Sequence, residues 1–232
     1  MRFVLMRGAG LLLALCIAAG ARADDLADFN SAVEAAMAHN RVAIGYLRTG
    51  NTDLAAIELD RLRAAWAQVG RRPRPAAFKD NPLYVTAMTD IATRLATADM
   101  MLNSGRPDIA RQALQAIRDD LYELRKSAHV PALADCVRDA NAAMDELMRY
   151  DGRPLDSGIV ESARRYGALL ARCDRMADGK TRDAPEFRRL IDGAAASLAR
   201  IPEAVAAKDE DLLHRLLIEL RSYDNLLAFR FG

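Results

Sequence analysis

Apolar and polar positions follow one another along the chain with the spacing of α-helices that bury one face. The clearest case runs from Tyr84 to Leu102, where apolar or small residues are separated by steps of 4, 3, 4, 3 and 4. The same steps return 103 residues later, from Phe187 to Val205. The next stripe also repeats at that distance: Ile109, Ala113, Ile117 and Leu124 correspond to Leu212, Leu216, Leu220 and Leu227. The pattern predicts one helical unit used twice.

Turn signals divide the chain into eight predicted helices. Hairpin turns are expected near Gly50, Gly105, Gly152 and Lys208, and alternate turns lie 102 and 103 residues apart. Asn51 and Asp209 are predicted to cap the helices that follow two of these turns. Loops are expected at residues 70–75 and 178–185, where the helical spacing is interrupted. No stretch has the two-residue period of a β-strand.

Each predicted unit therefore contains four helices of about 20 residues joined by short links. This layout predicts an all-α fold of two tandem up-down-up-down four-helix bundles, at residues 24–128 and 129–232. The alternative is a single eight-helix array of helical hairpins. A tetratricopeptide-type solenoid fits poorly, because its repeats are near 34 residues and the hairpins here are spaced by about 50 residues.

Residues 1–23 have the features of a secretory signal peptide. Two arginines precede a short apolar run from Leu11 to Ala19, and Ala21-Arg22-Ala23 has the small-x-small pattern after which signal peptidase cuts. The apolar run is shorter than the roughly 20 residues needed to span a bilayer. We therefore expect cleavage after Ala23, a periplasmic or secreted protein, and no membrane span in the mature chain, with an uncleaved anchor as the alternative.

The mature chain is close to electrical neutrality. Cleavage removes three of the 33 basic residues, which leaves 30 against 32 acidic residues. This balance gives no electrostatic reason to expect a nucleic acid as partner.

Cys136 and Cys173 are the two cysteines of the mature chain. Cys136 lies 14 residues before Tyr150, and Cys173 lies 14 residues after Ile159 on the next predicted helix. Antiparallel neighbours bring such positions to the same level, so the spacing predicts a Cys136–Cys173 disulfide in an oxidising compartment. The alternative is a pair of small buried thiols. No Cys-x-x-Cys motif occurs, which favours a structural role for the pair.

The last predicted helix reads from Leu220 to Arg230 without a Cys-x-x-Cys-His motif. In outline, each predicted unit resembles cytochrome c-prime and the soluble b-type four-helix-bundle cytochromes. Cytochrome c-prime holds its haem covalently through that motif, so covalent haem is excluded here. The resemblance to the b-type proteins implies non-covalent haem b, with Met148 and His214 as candidate ligands in the second unit. Our main expectation is no cofactor, and a haem or metal carrier is the alternative.

Motifs for catalysis or metal binding are missing from the sequence. Asp211-x-x-His214 is the nearest match to the Glu-x-x-His of di-iron bundles, and no second copy accompanies it. No Gly-x-Ser-x-Gly occurs, and the predicted inward stripes carry almost no ionisable residues. We therefore expect neither catalysis nor a metal site, with an enzyme of unrecognised type as a further alternative.

Two polar features are candidate contact sites. Asn40 lies on the apolar stripe of the first helix, where a buried amide either fixes the packing register or contacts a ligand. Arg71, Arg72 and Arg74 form a rigid basic loop that is either a docking site for an acidic partner or a solvated linker. The sequence thus favours a non-catalytic binding protein for an unknown partner protein or small ligand.

Overall fold

The computed structural model describes the backbone of residues 9–154 and 157–232, and the side chains of residues 25–154 and 158–232. Within these ranges the chain forms α-helices and one 3-10 turn but no β-strand, which confirms the all-α class. The predicted signal segment, residues 1–23, lies outside the described side chains, and residues 1–8 lie outside the described backbone. Among the described residues, no helix combines the length and hydropathy that a membrane span requires.

Contacts divide the chain into two compact units, of which the first ends at Val130. The first unit contains four long helices and a 3-10 turn at Ala76–Phe78: α1 (Ala9–Arg48), α2 (Thr52–Gly70), α3 (Leu83–Asn103) and α4 (Pro107–Ser127). Helix α1 packs along α2, α3 packs along α4, and contacts of α2 with α3 and of α1 with α4 close the ring. A closed ring of four helices is the arrangement of a bundle rather than of an open helical array.

The second unit, Pro131–Gly232, has the same number of long helices. It contains α5 (Leu133–Met148), α6 (Ser157–Met176), the single-turn α7 (Gly179–Asp183), α8 (Pro185–Ala207) and α9 (Glu210–Phe231). Helix α5 contacts α6 and α9, and α8 contacts α6 and α9, so this ring is closed as well. In each unit the apolar side chains of the ring form one continuous core.

Backbone geometry confirms all four predicted hairpin turns. Gly50, Gly105, Gly152 and Lys208 have φ values of +75°, +68°, +68° and +56°, the left-handed conformation that ends helices. The two predicted caps are confirmed too. Asn51 Oδ1 accepts from the N–H of Leu54 at 3.3 Å, and Asp209 Oδ1 accepts from the N–H of Leu212 at 2.8 Å.

The loop predicted at residues 178–185 is wrong in part, because it contains α7. Asp178 Oδ1 accepts from the N–H of Thr181 at 2.9 Å and thereby caps this turn. Arg182 then donates to the carbonyl oxygens of Asp174 at 3.0 Å and Ala177 at 2.7 Å, which fixes the turn against the end of α6. These hydrogen bonds depend on the position of α6, so the helical spacing of the sequence could not predict them.

The predicted disulfide between Cys136 and Cys173 is confirmed. The two residues face each other from α5 and α6 with Cα atoms 5.4 Å apart, and both are buried in the core of the second unit. The bond closes the α5–α6 hairpin and is shielded from solvent, as expected for a structural disulfide.

Candidate functional site

An apolar groove of about 490 Å³ lies between α2 and α3 on the first unit. Its walls are apolar or small residues of the two helices, among them Trp66, Ala67, Gly70, Tyr84, Val85 and Met88. Trp66 forms the floor and is only 6% exposed, whereas Val85 on the rim is 62% exposed. The volume falls in the range of ligand sites, roughly 300–1,000 Å³, but the groove is open to solvent on one side.

The groove is open because no side chain fills the space where α2 ends. Gly70 is the last residue of α2, and a Cβ atom added to it would meet no atom within 4 Å. Residues 71–82 connect α2 to α3 in place of a tight turn. On α3 the groove extends from Tyr84 to Ala92, about 12 Å along the helix axis.

The start of the α3 stripe lines this groove and also packs against the core. Tyr84 and Met88 belong to the apolar stripe of the sequence, yet both are only half-buried. The residues 103 positions later, Phe187 and Ile191, are buried in the second unit. A partly exposed stripe at this point therefore distinguishes the first unit from the second.

An ion pair spans the corresponding place in the second unit. Arg188 stands 103 residues after Val85, and Asp174 stands 103 residues after Arg71. The guanidinium of Arg188 on α8 donates to both carboxylate oxygens of Asp174 on α6, with Nη1 3.4 Å from Oδ2. The second unit thus bridges the two helices where the first unit presents an exposed valine.

The loop beside the groove is held in place by aromatic packing. Phe78 is fully buried, and its ring centroid lies 5.6 Å from that of Phe29 and 5.6 Å from that of Tyr84. The N–H of Ala76 donates to Oδ2 of Asp25 at 2.8 Å. These contacts tie the link between α2 and α3 to α1.

The three predicted loop arginines have two different environments. Arg74 donates through Nη2 to the carbonyl oxygen of Asn81 at 2.5 Å, and its guanidinium carbon lies 4.8 Å from the centroid of the Tyr84 ring. Burial raises the pKa of the Tyr84 phenol, and the charge of Arg74 opposes that shift. Arg71 and Arg72 are exposed and form no ion pair with the described residues.

Asn40 lies in the core of the first unit and does not line the groove. Its Nδ2 donates to the carbonyl oxygen of Leu114 on α4 at 3.1 Å. Its Oδ1 is buried without a hydrogen-bond partner among the described residues. The amide therefore links α1 to α4, and a role in ligand contact stays a prediction.

Met148 and His214 are placed differently in the second unit. His214 is exposed, and its Nδ1 lies 2.7 Å from Oδ1 of Asp151 in the α5–α6 turn. Met148 is half-buried and packs against the core. Among the described residues, no three or more His, Cys, Asp or Glu side chains are grouped so that they could hold a metal ion. Haem binding by this pair stays a prediction.

Asp224 is a buried ionisable residue that the sequence analysis missed. The prediction of inward stripes almost without ionisable residues is wrong at this point, because Asp224 is 0% exposed in the second unit. It accepts hydrogen bonds from Asn141 Nδ2 at 2.5 Å and from the Tyr166 hydroxyl at 3.4 Å. The signal was available: Asp224 stands between Leu220 and Leu227 at steps of 4 and 3.

Comparisons with protein-family models, with curated proteins and with solved structures give no match to this chain.

Proposed function

We propose that this chain is a secreted, non-catalytic and cofactor-free protein that binds a helical segment of a partner protein in the groove between α2 and α3. The observation that carries the proposal is the contrast between Val85 and the residue 103 positions later, Arg188. Val85 is 62% exposed beside the groove, whereas Arg188, 103 residues later, is committed to an ion pair with Asp174. An apolar wall left open beside charged residues is typical of a binding surface.

The shape of the groove favours a protein segment over a small molecule. Small-molecule sites bury roughly 70–90% of the ligand surface, and walls from two helices alone do not enclose a ligand in that way. An amphipathic helix needs only to bury one face in such a groove. The 12 Å between the ends of the α3 wall correspond to about two helical turns, so the groove would accept partner side chains at positions i, i+4 and i+7.

A periplasmic or secreted location is part of the proposal. It is supported by the signal-like residues 1–23 and by the buried Cys136–Cys173 disulfide, since disulfides form and persist in oxidising compartments. The binding surface would then be available to other exported proteins.

Trp66 makes the groove directly measurable, because it is the only tryptophan in the 232-residue chain. We would titrate the purified protein with a tryptophan-free amphipathic peptide of about 16 residues with a leucine face and uncharged polar residues. The emission of Trp66 is expected to change and to saturate. Val85→Arg should weaken binding by at least about tenfold, because it places an unpaired charge against the apolar peptide face.

The matched control is Ile57→Arg. Ile57 is also a β-branched residue of the first unit and is 48% exposed, but it does not line the groove. This variant should bind the peptide as the wild type does. Absence of any saturable change in wild-type emission, or equal losses in both variants with the fold intact by circular dichroism, would contradict the proposal.

A further inference from the structure

We infer that the partner helix carries carboxylates at the end that lies beside Gly70, where Arg71 and Arg72 pair with them. This inference rests on the proposed binding function and adds the charge pattern of the partner. It concerns the end of the groove beside Gly70, where Arg71 and Arg72 form no ion pair with the described residues.

The loop at this end is strongly basic. Residues 71–80 contain four basic residues and one acidic residue. Arg74 is committed to the carbonyl oxygen of Asn81 and to the face of Tyr84. Arg71 and Arg72 follow Gly70 directly, and within the described part of the chain their exposed guanidinium groups have no carboxylate partner. Two exposed cations therefore follow directly on Gly70, the last residue of α2 that lines the groove.

Towards the opposite end of the α2 wall, the basic side chain is already paired. Arg63 shares the face of Ala67 and Gly70, at positions i, i+4 and i+7 of α2. Its Nη1 lies 3.6 Å from Asp60 Oδ1 and 3.3 Å from Asp99 Oδ2. Among the described residues, arginines without a carboxylate partner are thus found at the Gly70 end of the groove and not at the Arg63 end. The two ends of the groove therefore differ in charge.

The two arginines are also presented on a fixed backbone. Burial of Phe78 and the hydrogen bond from Ala76 to Asp25 hold the loop in which they lie. A carboxylate one helical turn beyond the apolar face of the partner would meet them without reordering the main chain. Side-chain entropy and the desolvation of the charged groups then oppose the pairing. Basic residues after a helix also interact with its dipole, and that purely structural role would show no preference among partners.

The experiment uses tryptophan-free helical peptides that share one leucine face and differ at one end. The end carries two glutamates, two glutamines or two lysines, and the termini are blocked. Binding is read from Trp66 emission in the wild type, in Arg71→Gln/Arg72→Gln and in Arg71→Glu/Arg72→Glu. Because exposed ion pairs are weak, the wild type should bind the glutamate peptide about three- to tenfold more tightly than the lysine peptide.

The preference for the glutamate peptide over the lysine peptide should nearly vanish in Arg71→Gln/Arg72→Gln and reverse in Arg71→Glu/Arg72→Glu. In the wild type it should shrink in about 1 M NaCl, where the Debye length is only about 3 Å. The control is Arg164→Gln/Arg165→Gln, which removes two adjacent exposed arginines from α6 and changes the net charge by the same amount. This control should keep the wild-type preference.

The outcomes separate the two proposals. Equal binding of all three peptides, or a preference that the control variant also loses, would overturn the acidic-end inference and leave groove binding standing. Failure of every peptide to change Trp66 emission would overturn groove binding itself. A parallel titration with dodecanoate tests for a lipid-like occupant: binding of this anion that Val85→Arg abolishes, with no binding of any peptide, would overturn the choice of a protein partner.

Discussion

Asn141 on α5 and Asp224 on α9 are joined by a side-chain hydrogen bond, with Nδ2 2.5 Å from Oδ2. Burial raises the pKa of Asp224 to about 6, although the hydrogen bond from Asn141 and the charge of Arg221 lower it in part. Tyr166 on α6 donates to the other carboxylate oxygen, so the carboxylate connects three helices of the second unit. Burial also raises the pKa of the Tyr166 phenol, which stays protonated and keeps its role as donor.

Asp224 predicts a pH dependence of stability with a defined sign. Its carboxyl group has a higher pKa in the folded chain than in the unfolded chain, so between about pH 4 and pH 6 the folded state binds more protons. The free energy of unfolding should therefore fall as pH rises through this window and level off above it, by up to about 3 kcal/mol in total. Asp224→Asn should remove this component. Urea unfolding followed by circular dichroism at several pH values checks it, and parallel curves for the two proteins would contradict it.

Reduction of the Cys136–Cys173 bond should destabilise the second unit. The bond joins residues 37 apart, which corresponds to about 4 kcal/mol on the chain-entropy model and less if other terms oppose it. Cys136→Ala/Cys173→Ala should lower the urea midpoint seen by circular dichroism. The midpoint seen by Trp66, which lies in the first unit, should stay unchanged. Equal shifts of both signals would show that the two units unfold together.

Asn40→Leu should stabilise the first unit. The Oδ1 atom of Asn40 is buried without a partner among the described residues, and a buried polar atom without a hydrogen bond costs about 1–3 kcal/mol. Leucine has the same branching of side-chain heavy atoms, although it is larger, and carries no such atom, so we expect a gain of about 1 kcal/mol in urea unfolding followed by Trp66 emission. Asn40→Ala, which leaves a cavity, should instead lower stability. A loss in Asn40→Leu would indicate that Oδ1 binds a water molecule or ligand.

The ion pair of the second unit can be transferred to the first. Val85→Arg with Arg71→Asp would reproduce the residues found at Arg188 and Asp174. We expect the new pair to bridge the groove and to change the free energy of unfolding by no more than about 1 kcal/mol, as surface ion pairs do. Peptide binding should be lost in this double variant. Retention of wild-type affinity would show that the space beside Val85 is not the binding site.

Local signals in the sequence were enough to predict most of the fold. Gly50 and Gly105 end helices because glycine adopts positive φ at little cost, and Asn51 caps the next helix with its own side chain. The Cys136–Cys173 bond followed from helix geometry alone, because positions at equal distance from a hairpin turn lie opposite one another. Each of these features depends on a few neighbouring residues or on a regular helical rise.

The features that the sequence did not predict depend on contacts between distant residues. The α7 turn exists because Arg182 reaches back to the carbonyl groups at the end of α6. Asp224 can be buried in the core because Asn141 and Tyr166 donate hydrogen bonds to its carboxylate from two other helices. The groove beside Val85 could not be predicted from the helical spacing, which places Tyr84 and Met88 on the core-facing stripe but does not show that both residues, partly buried against the core, also line a groove.

The most direct test of the central claim is to map where a helical peptide binds on the whole protein. In ¹H–¹⁵N correlation spectra of the full chain, the glutamate-ended peptide should shift amide signals at residues 66–72 and 84–92, which surround the groove and its basic end. Unchanged signals there, with shifts confined to the exposed apolar residues Ile218, Leu226 and Phe229 of α9, would contradict the claim.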